Sequence, residues 1–222
     1  MKHLLILAIV LMIGGTTMAN EWDKTFPKSD KVNVEKVYFK NRYGIKLAGD
    51  LYKPKNAKEK LPAIAISGPF GAVKEQASGL YAQTLAERGF ITLAFDPSFT
   101  GESEGQPRDV ASPDINTEDF SAAVDFLSNR DDADAEKIGI LGICGFGGMG
   151  LNAASMDTRI KATVTSTMYD MSRVNANGYF DATDEKARYE LRQTLNKQRT
   201  EDFKNGTYAK GTGLPIKLTG DE

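Results

Sequence analysis

The stretch LGICGFGGMG, residues 141–150, holds the only cysteine of the chain, Cys144, among five glycines. An apolar run precedes it and a helical pattern follows it, which is typical of a tight turn between a strand and a helix. At the tip of such a turn the backbone is strained, and the residues two before and two after the tip have to be small. The first turn of the helix contributes unpaired N–H groups. The stretch therefore predicts a corner that can present a nucleophile for acyl chemistry.

Two placements of this turn remain open from the sequence. If Cys144 is the tip, Gly142 precedes it by two and a nucleophilic thiol stands where chemistry needs it, but Phe146 lies where glycine is expected. If Phe146 is the tip, its flanking residues Cys144 and Gly148 are small, but no nucleophile is presented. In that second case Cys144 is a small buried residue at the end of a strand, which is a common role for an unpaired cysteine.

A second loop, SGPFG at residues 67–71, follows the continuous apolar run at residues 61–66. Pro69 carries no N–H, so Phe70 is the expected backbone donor of this loop. Gly145, directly after Cys144, is the expected second donor. Two N–H groups aimed at one point form an oxyanion hole, which stabilises the negative charge of a tetrahedral intermediate. The alternative is a tight strand–helix connection without any ligand.

This interpretation provides no suitable catalytic base. His3 is the only histidine, and it lies at the start of the chain. A lone carboxylate is a poor base for a thiol or a hydroxyl at neutral pH, and loss of the base lowers the rate by orders of magnitude. We therefore expect an acyl hydrolase that is weakly active or inactive in this form. The alternative is a non-catalytic ligand-binding protein on the same fold.

Continuous apolar runs at residues 61–66, 90–95, 137–143 and 160–166 alternate with helical patterns at 75–88, after an N-cap at Asn116, and from the glycine stretch to about 156. This order predicts an α/β fold with a mostly parallel, doubly wound sheet. Alternating segments at 32–39 and 45–52 predict an antiparallel hairpin at one edge. A polar helical excursion is expected at 184–203, with Ala187, Leu191 and Leu195 on one face.

The N-terminal segment differs from the rest of the chain. Lys2 and His3 precede the apolar run Leu4–Ile13, and Ala19 ends a stretch of small residues. This layout is that of a signal peptide at residues 1–19, so we expect a secreted or periplasmic domain at 20–222, without a stable membrane span after cleavage. The alternative is an uncleaved anchor or a buried N-terminal helix. A net charge of −2 without a basic stripe argues against a nucleic-acid partner. We expect a small-molecule, ester-like substrate.

No cofactor or metal motif is recognisable in the sequence. The glycines at positions 145, 147 and 148 do not follow the G-x-G-x-x-G order of dinucleotide-binding turns. A chain with one cysteine also has no intrachain disulfide. We therefore expect no cofactor and no metal at the predicted corner.

Segments 66–105, ISGPFGAVKEQASGLYAQTLAERGFITLAFDPSFTGESEG, and 138–154, IGILGICGFGGMGLNAA, together resemble the α/β-hydrolase superfamily, specifically its dienelactone-hydrolase-like, secreted bacterial members. The resemblance spans about residues 34–166. It implies an esterase-type hydrolase in which Cys144 is the nucleophile and Phe70 and Gly145 are the oxyanion donors. It places Asp96 and Glu102 in the loop after the fourth strand, where Asp96 is expected to bind neighbouring backbone N–H groups.

The chain departs from this family pattern at several points. Phe146 replaces a small residue, and the sequence ends before the segments that should carry the family's acid, histidine and last strands, so we expect a C-terminally truncated, incomplete domain. Asp170 is the only carboxylate placed to substitute for the acid, although a helix cap or turn explains it more simply. A parallel sheet without its last strands exposes an apolar edge, so self-association through that edge is expected.

Overall fold

The structure, a computed structural model, describes residues 22–211. The signal peptide expected at residues 1–19 lies outside these described residues. The strands are β1 (Val32–Lys40), β2 (Lys46–Pro54), β3 (Leu61–Ser67), β4 (Ile91–Phe95), β5 (Ala133–Ile143) and β6 (Ile160–Ser166). The helices are α1 (Ala77–Ala86), α2 (Pro113–Ser128), α3 (Gly145–Met156), α4 (Met171–Asn177) and α5 (Glu185–Asn205), with a 3-10 turn at Tyr179–Asp181.

The strands form one sheet in the order β1-β2-β4-β3-β5-β6. β1 and β2 form the predicted antiparallel hairpin, which joins β4 in antiparallel orientation. The pairs β3–β4, β3–β5 and β5–β6 are all parallel. The predicted α/β class, with a mostly parallel sheet and helices on both faces, is therefore confirmed.

The two faces of the sheet are covered by different helices. On one face, α2 and α3 pack through Phe120, Val124, Phe146 and Met149 against buried residues of the sheet. On the other face, α1 packs through Ala82 and Ala86. The core therefore consists of two apolar clusters, one on each face of the sheet. This is expected because successive side chains of a strand point to opposite faces.

β6 is an edge strand within residues 22–211, since β5 is its only partner there. The central strand β4 is buried at every position, whereas β6 has no fully buried residue. Val164, at its middle, is 55% exposed. Within residues 22–211, no other element covers this side of β6.

The predicted N-cap at Asn116 is wrong. The N-cap is Ser112, four residues earlier, which accepts a hydrogen bond from Ile115 N. Pro113, which follows it, has the backbone angle suited to a first helical turn. Asn116 lies inside the helix, where its Oδ1 accepts from Ser112 N and its Nδ2 donates to Asp119. The helix predicted at residues 75–88 is also shorter, Ala77–Ala86.

The polar helix predicted at residues 184–203 is present as α5. Asp184 caps its N-terminus by accepting from Ala187 N, and Gly206 ends it in the left-handed conformation with φ 64°. Its apolar residues Leu191 and Leu195 do not pack into a core, and no residue of α5 is buried. No helix of residues 22–211 has both the length and the apolar character needed to cross a bilayer.

Candidate active site

The strained residue at the junction of β5 and α3 is Cys144. Its backbone angles are φ 58° and ψ −130°, a combination that residues with a side chain rarely adopt. Two hydrogen bonds hold this bend, from Cys144 N to Ser166 O at 2.9 Å and from Gly147 N to Cys144 O at 3.0 Å. Cys144 therefore takes the tip, the first of the two placements, and Phe146 lies in the first turn of α3.

The crowding at this corner explains its glycines. A Cβ atom at Gly142 would lie 2.4 Å from the carbonyl oxygen of Phe146, so only glycine fits two residues before the tip. Gly68, which follows β3, has φ +101°, and a Cβ there would lie 2.4 Å from Ile143 O and 2.9 Å from Phe146 Cβ. The phenylalanine is tolerated two residues after the tip because Gly68, from another segment, leaves the space.

The ring of Phe146 is part of the core and is 2% exposed. Its centroid lies 4.9 Å from that of Phe70 and 6.5 Å from that of Phe120. Phe120 in turn packs edge-on against Phe95 of β4, with 5.4 Å between centroids. Aromatic side chains thus connect the corner to the buried sheet, so the strained backbone at Cys144 is supported by packing beneath it.

Phe70 and Gly145, the two predicted oxyanion donors, are adjacent in space. A Cβ at Gly145 would lie 1.9 Å from Phe70 Cε2, so the ring of Phe70 rests directly on the first residue of α3. Within residues 22–211, neither the backbone N–H of Phe70 nor that of Gly145 has a hydrogen-bond partner. The structure therefore brings together Cys144, Phe70 and Gly145.

A cavity of about 890 Å³ opens at this corner, and Cys144 is part of its wall. Its lining is mainly apolar and aromatic, and includes Phe70, Val73, Val110, Phe146, Met149, Tyr169, Met171, Val174 and Tyr179. A few polar residues, among them Thr100 and Asn116, complete it. Cavities with a mainly apolar lining and few polar groups are typical of small-molecule sites.

The segment after β6 forms the outer wall of the cavity. A Cβ at Gly147 would lie 2.8 Å from Met168 Cγ, and one at Gly145 would lie 3.0 Å from Met171 Cγ, so both methionines rest on the first turn of α3. Asp170 lies between them in sequence but caps α4, accepting from Arg173 N at 2.9 Å and from Ser172 Oγ at 2.6 Å. The hydrogen bond from Ser172 is the main reason why the pKa of Asp170 lies below its ordinary value.

Asp96 is held in a buried network of hydrogen bonds and an ion pair. It is fully buried, its Oδ1 accepts from Lys74 N at 2.7 Å, and its Oδ2 accepts from Glu102 N at 2.9 Å and Lys74 Nζ at 3.0 Å. Lys74 is also fully buried, and burial opposes its charge. Hydrogen bonds to Glu102, Glu75 and Asp96 outweigh this effect and raise the pKa of Lys74, so it remains charged. The network joins the loops after β3 and β4.

The contribution of Gly68 was missed by sequence reasoning. The only signal for it was a glycine directly after a buried strand, which does not reveal that Phe146 is its neighbour. Within residues 22–211 there is no histidine and no group of three or more His, Cys, Asp or Glu side chains that could hold a metal ion. The corner as described contains a thiol and backbone donors, without a base beside them.

Comparisons with known proteins agree with this architecture. The family model described as X-Pro dipeptidyl-peptidase (S15 family) matches residues 43–210. The uncharacterized protein PA2218 of Pseudomonas aeruginosa is 63% identical over 88% of this chain and 54% of its own length. Its crystal structure superimposes with a TM-score of 0.82 at 61% identity, covering 88% of this chain and 64% of that one.

More distant relatives include the thiohydrolase aneE of Aspergillus aculeatus, 34% identical over 61% of this chain and 43% of its own. The alpha/beta hydrolase GrgF from Penicillium sp. sh18 shares the fold, with a TM-score of 0.58 at 20% identity over 80% of this chain and 68% of that one. The chain spans about half the length of the curated relatives it matches. It has an α/β-hydrolase fold and belongs to the X-Pro dipeptidyl-peptidase (S15) family.

Proposed function

We propose that the chain carries the acyl-accepting half of an esterase or thioesterase site, with Cys144 as the nucleophile. The single observation that carries this proposal is the position of Cys144, whose strained backbone, at φ 58° and ψ −130°, places it at a strand–helix corner that opens into a cavity of about 890 Å³. A nucleophile at such a corner can approach a bound carbonyl group while its own backbone stays fixed.

In the proposed reaction, the Cys144 thiol releases its proton to water and its Sγ bonds to the carbonyl carbon of the substrate. The N–H groups of Phe70 and Gly145 donate to the developing oxyanion, and their lack of other partners within residues 22–211 supports this role. The bond to the leaving alcohol or thiol breaks, the leaving oxygen or sulfur takes a proton from water, and a thioester to Cys144 remains. Water then releases the carboxylic acid and regenerates the thiol.

The substrate class follows from the cavity wall. Phe70, Phe146, Met149 and Val174 offer apolar contacts to an acyl group, and few charged side chains face them. The relative aneE is named a thiohydrolase, which supports an ester or thioester over a peptide as the substrate. The motifs of residues 66–105 and 138–154 further support a place among dienelactone-hydrolase-like enzymes.

The missing base affects the second half of the reaction most. An acylated Cys144 requires an activated water for hydrolysis, and within the described residues no histidine is available to activate one. We therefore expect acylation to outpace hydrolysis, so that the acyl-enzyme accumulates. The same lack of histidine supports the second candidate, a ligand-binding protein that holds an apolar molecule in this cavity without chemistry.

Intact-mass spectrometry separates these two functions. The purified chain is incubated with p-nitrophenyl butyrate or with a butyryl thioester, and the mass is followed over time. We expect one butyryl group per chain, located on Cys144 by peptide mapping, and no adduct on Cys144→Ala. A single adduct on another residue, or equal modification of Cys144→Ala, would contradict the assignment of the nucleophile, and tight binding without any adduct would favour the second candidate.

We also propose that the protein is exported. The support is the sequence of residues 1–19, with a basic start, the apolar run Leu4–Ile13 and small residues up to Ala19. Expression in a bacterial host, followed by N-terminal sequencing of the periplasmic fraction, tests it. We expect a mature chain that starts near Asn20; a chain that still begins at Met1 would contradict export.

A further inference from the structure

Lys74, in the loop after β3, carries a buried charge that the proposed reaction does not use. Its side chain is fully buried, which is rare for a lysine. Its Nζ donates to Glu102 Oε2 at 2.7 Å and to Asp96 Oδ2 at 3.0 Å, and it forms an ion pair with Glu75. Three acceptors thus meet the three N–H groups of the ammonium, so the charge is held in one place.

Lys74 is not the missing base. Burial favours the neutral amine, but the hydrogen bonds to Glu102 and Glu75 outweigh burial and raise the pKa of Lys74. An ammonium group that stays protonated has no lone pair with which to accept a proton from Cys144 or from water. The contribution of Lys74 to the site is therefore to hold other groups in place.

The contacts of Lys74 connect two loops that line the cavity. Its backbone N–H donates to Asp96 Oδ1 at 2.7 Å, and Asp96 Oδ2 accepts from Glu102 N at 2.9 Å. Asp96 and Glu102 belong to the loop after β4, whereas Lys74 belongs to the loop after β3. Both loops contribute to the cavity wall, through Phe70, Gly71, Val73, Thr100 and Gly101. A shift of Lys74 would therefore move one part of the wall relative to the other.

The backbone on either side of this network is closely packed. A Cβ atom at Gly101, which has φ +56°, would overlap the carboxylate of Asp96, and a Cβ at Gly79 of α1 would overlap the carbonyl oxygen of Lys74. Phe70 precedes Lys74 in the same loop, and within residues 22–211 its N–H has no hydrogen-bond partner. Apart from the packing of its ring, the position of Phe70 therefore depends on the end of the loop that Lys74 anchors.

We propose that Lys74 is the positioning residue of the oxyanion hole. By tying the loop after β3 to the loop after β4, it fixes the Phe70 N–H where it can donate to the oxyanion. This inference rests on the proposed function, because it explains how one of the two donors is held. Cys144 is anchored elsewhere, since its backbone N–H donates to Ser166 O at 2.9 Å. Loss of Lys74 should therefore weaken the stabilisation of the oxyanion and leave the thiol accessible.

The test compares two reactions of the same thiol. Acylation of Cys144 by a butyryl thioester passes through an oxyanion, whereas alkylation by iodoacetamide does not, so only acylation depends on the donors. Lys74→Met removes the ammonium and keeps a side chain of similar length. We expect it to lower the maximal acylation rate at least about tenfold and to change the alkylation rate by less than about twofold. Lys36→Met, at an exposed lysine that also pairs with Glu102, is the matched control and should leave both rates unchanged.

A second variant decides the question if Lys74→Met does not fold. Glu102→Ala removes one partner of Lys74 Nζ at a side chain that is 46% exposed, so the fold should tolerate it. We expect the acylation rate to fall about threefold and the alkylation rate to stay unchanged. Glu104→Ala removes an exposed carboxylate from the same loop and is the control, without effect on either rate. Circular dichroism and a thermal melt establish that each variant is folded.

Three outcomes would overturn the role of Lys74. One is a folded Lys74→Met that acylates as fast as the unmodified chain. Another is an equal loss of acylation and alkylation, which would show that Lys74 only supports the fold around the thiol. If Lys74→Met does not fold, an unchanged ratio of the two rates in Glu102→Ala is the third. The unmodified chain separates these failures from that of the proposed function: without acylation of Cys144 both fail, whereas acylation with a constant ratio refutes the role of Lys74 alone.

Discussion

Helices cover the two faces of the sheet to different extents. On the face covered by α2 and α3, apolar side chains from helices and strands interlock around Phe120, which is fully buried. On the α1 face, one helix covers part of the sheet, and Val164 remains 55% exposed beside an apolar groove. The helix that follows Cys144, α3, packs on the α2/α3 face, whereas Cys144 itself packs against the α1-side cluster.

This difference bears on how the corner at Cys144 is held in place. The strained backbone of Cys144 depends on Phe146, Phe70 and Gly68. Phe146 and Phe70 pack with the α2/α3 cluster, and Gly68 lies in the loop after β3. The histidine that a complete site requires is absent from residues 22–211. Cys144 packs against the α1-side cluster and Phe146 packs in the cluster on the other face, so the corner joins both faces of the sheet.

The largest effect is expected from truncation of Phe120. Phe120→Ala removes a ring that packs against both Phe95 and Phe146, and we expect the free energy of unfolding to fall by about 3–5 kcal/mol. Val164→Ala, on the partly covered α1 face, is the matched control and should change the free energy of unfolding by less than about 0.5 kcal/mol. Urea unfolding followed by circular dichroism measures both, and similar losses for the two variants would refute the asymmetry between the faces.

A smaller effect is expected at the glycine that accommodates Phe146. Gly68→Ala combines a positive φ of +101° with a Cβ 2.4 Å from Ile143 O, and should lower the free energy of unfolding by about 2–3 kcal/mol. Gly71→Ala is its control, since φ is +73° there but no atom lies within 4 Å of the added Cβ, and about 1 kcal/mol is expected. Thermal unfolding distinguishes them. Equal losses would show that Gly68 is needed only for its backbone angle.

The smallest effect concerns Asp132, which joins β2 to the start of β5 and lies outside both faces. Hydrogen bonds from Arg130 and Lys53 lower its pKa from 3.8 to about 2. A pKa that is lower in the folded state stabilises the protein above the ordinary value, and the gain disappears as the pH falls through about 2. Asp132→Asn should therefore lower the free energy of unfolding by about 1 kcal/mol or less at pH 7, and by almost nothing at pH 2. A difference that persists at pH 2 would contradict this linkage.

Much of the fold was predictable because the buried strands are continuous apolar runs. β3 and β4 are each made almost entirely of apolar residues, and a sheet covered by helices is the way to bury both sides of such strands. The start of α2 was not predictable in the same way, because Ser112, Pro113 and Asn116 all offer plausible signals. Asn116 instead lies inside α2 and donates to Asp119, one turn further along the same helix.

The corner was predictable as a turn but not in its placement. The choice between Cys144 and Phe146 depends on Gly68, which is more than seventy residues away in sequence, and no local rule connects them. The packing of α5 was not predictable either, since the spacing of Leu191 and Leu195 indicates a face but not what covers it. Local patterns therefore predicted the elements, and contacts between distant segments decided the site.

The most direct test of the account compares the rate of acylation of Cys144 in two contexts. One is the folded chain, and the other is a synthetic peptide of residues 141–150, which contains the same thiol without the corner or the cavity. Intact-mass kinetics with the same butyryl thioester gives both rate constants under identical conditions. We predict that the folded chain reacts at least about 100-fold faster, as expected when backbone donors stabilise the oxyanion. Equal rates would show that the corner does not activate Cys144 and would contradict the proposed function.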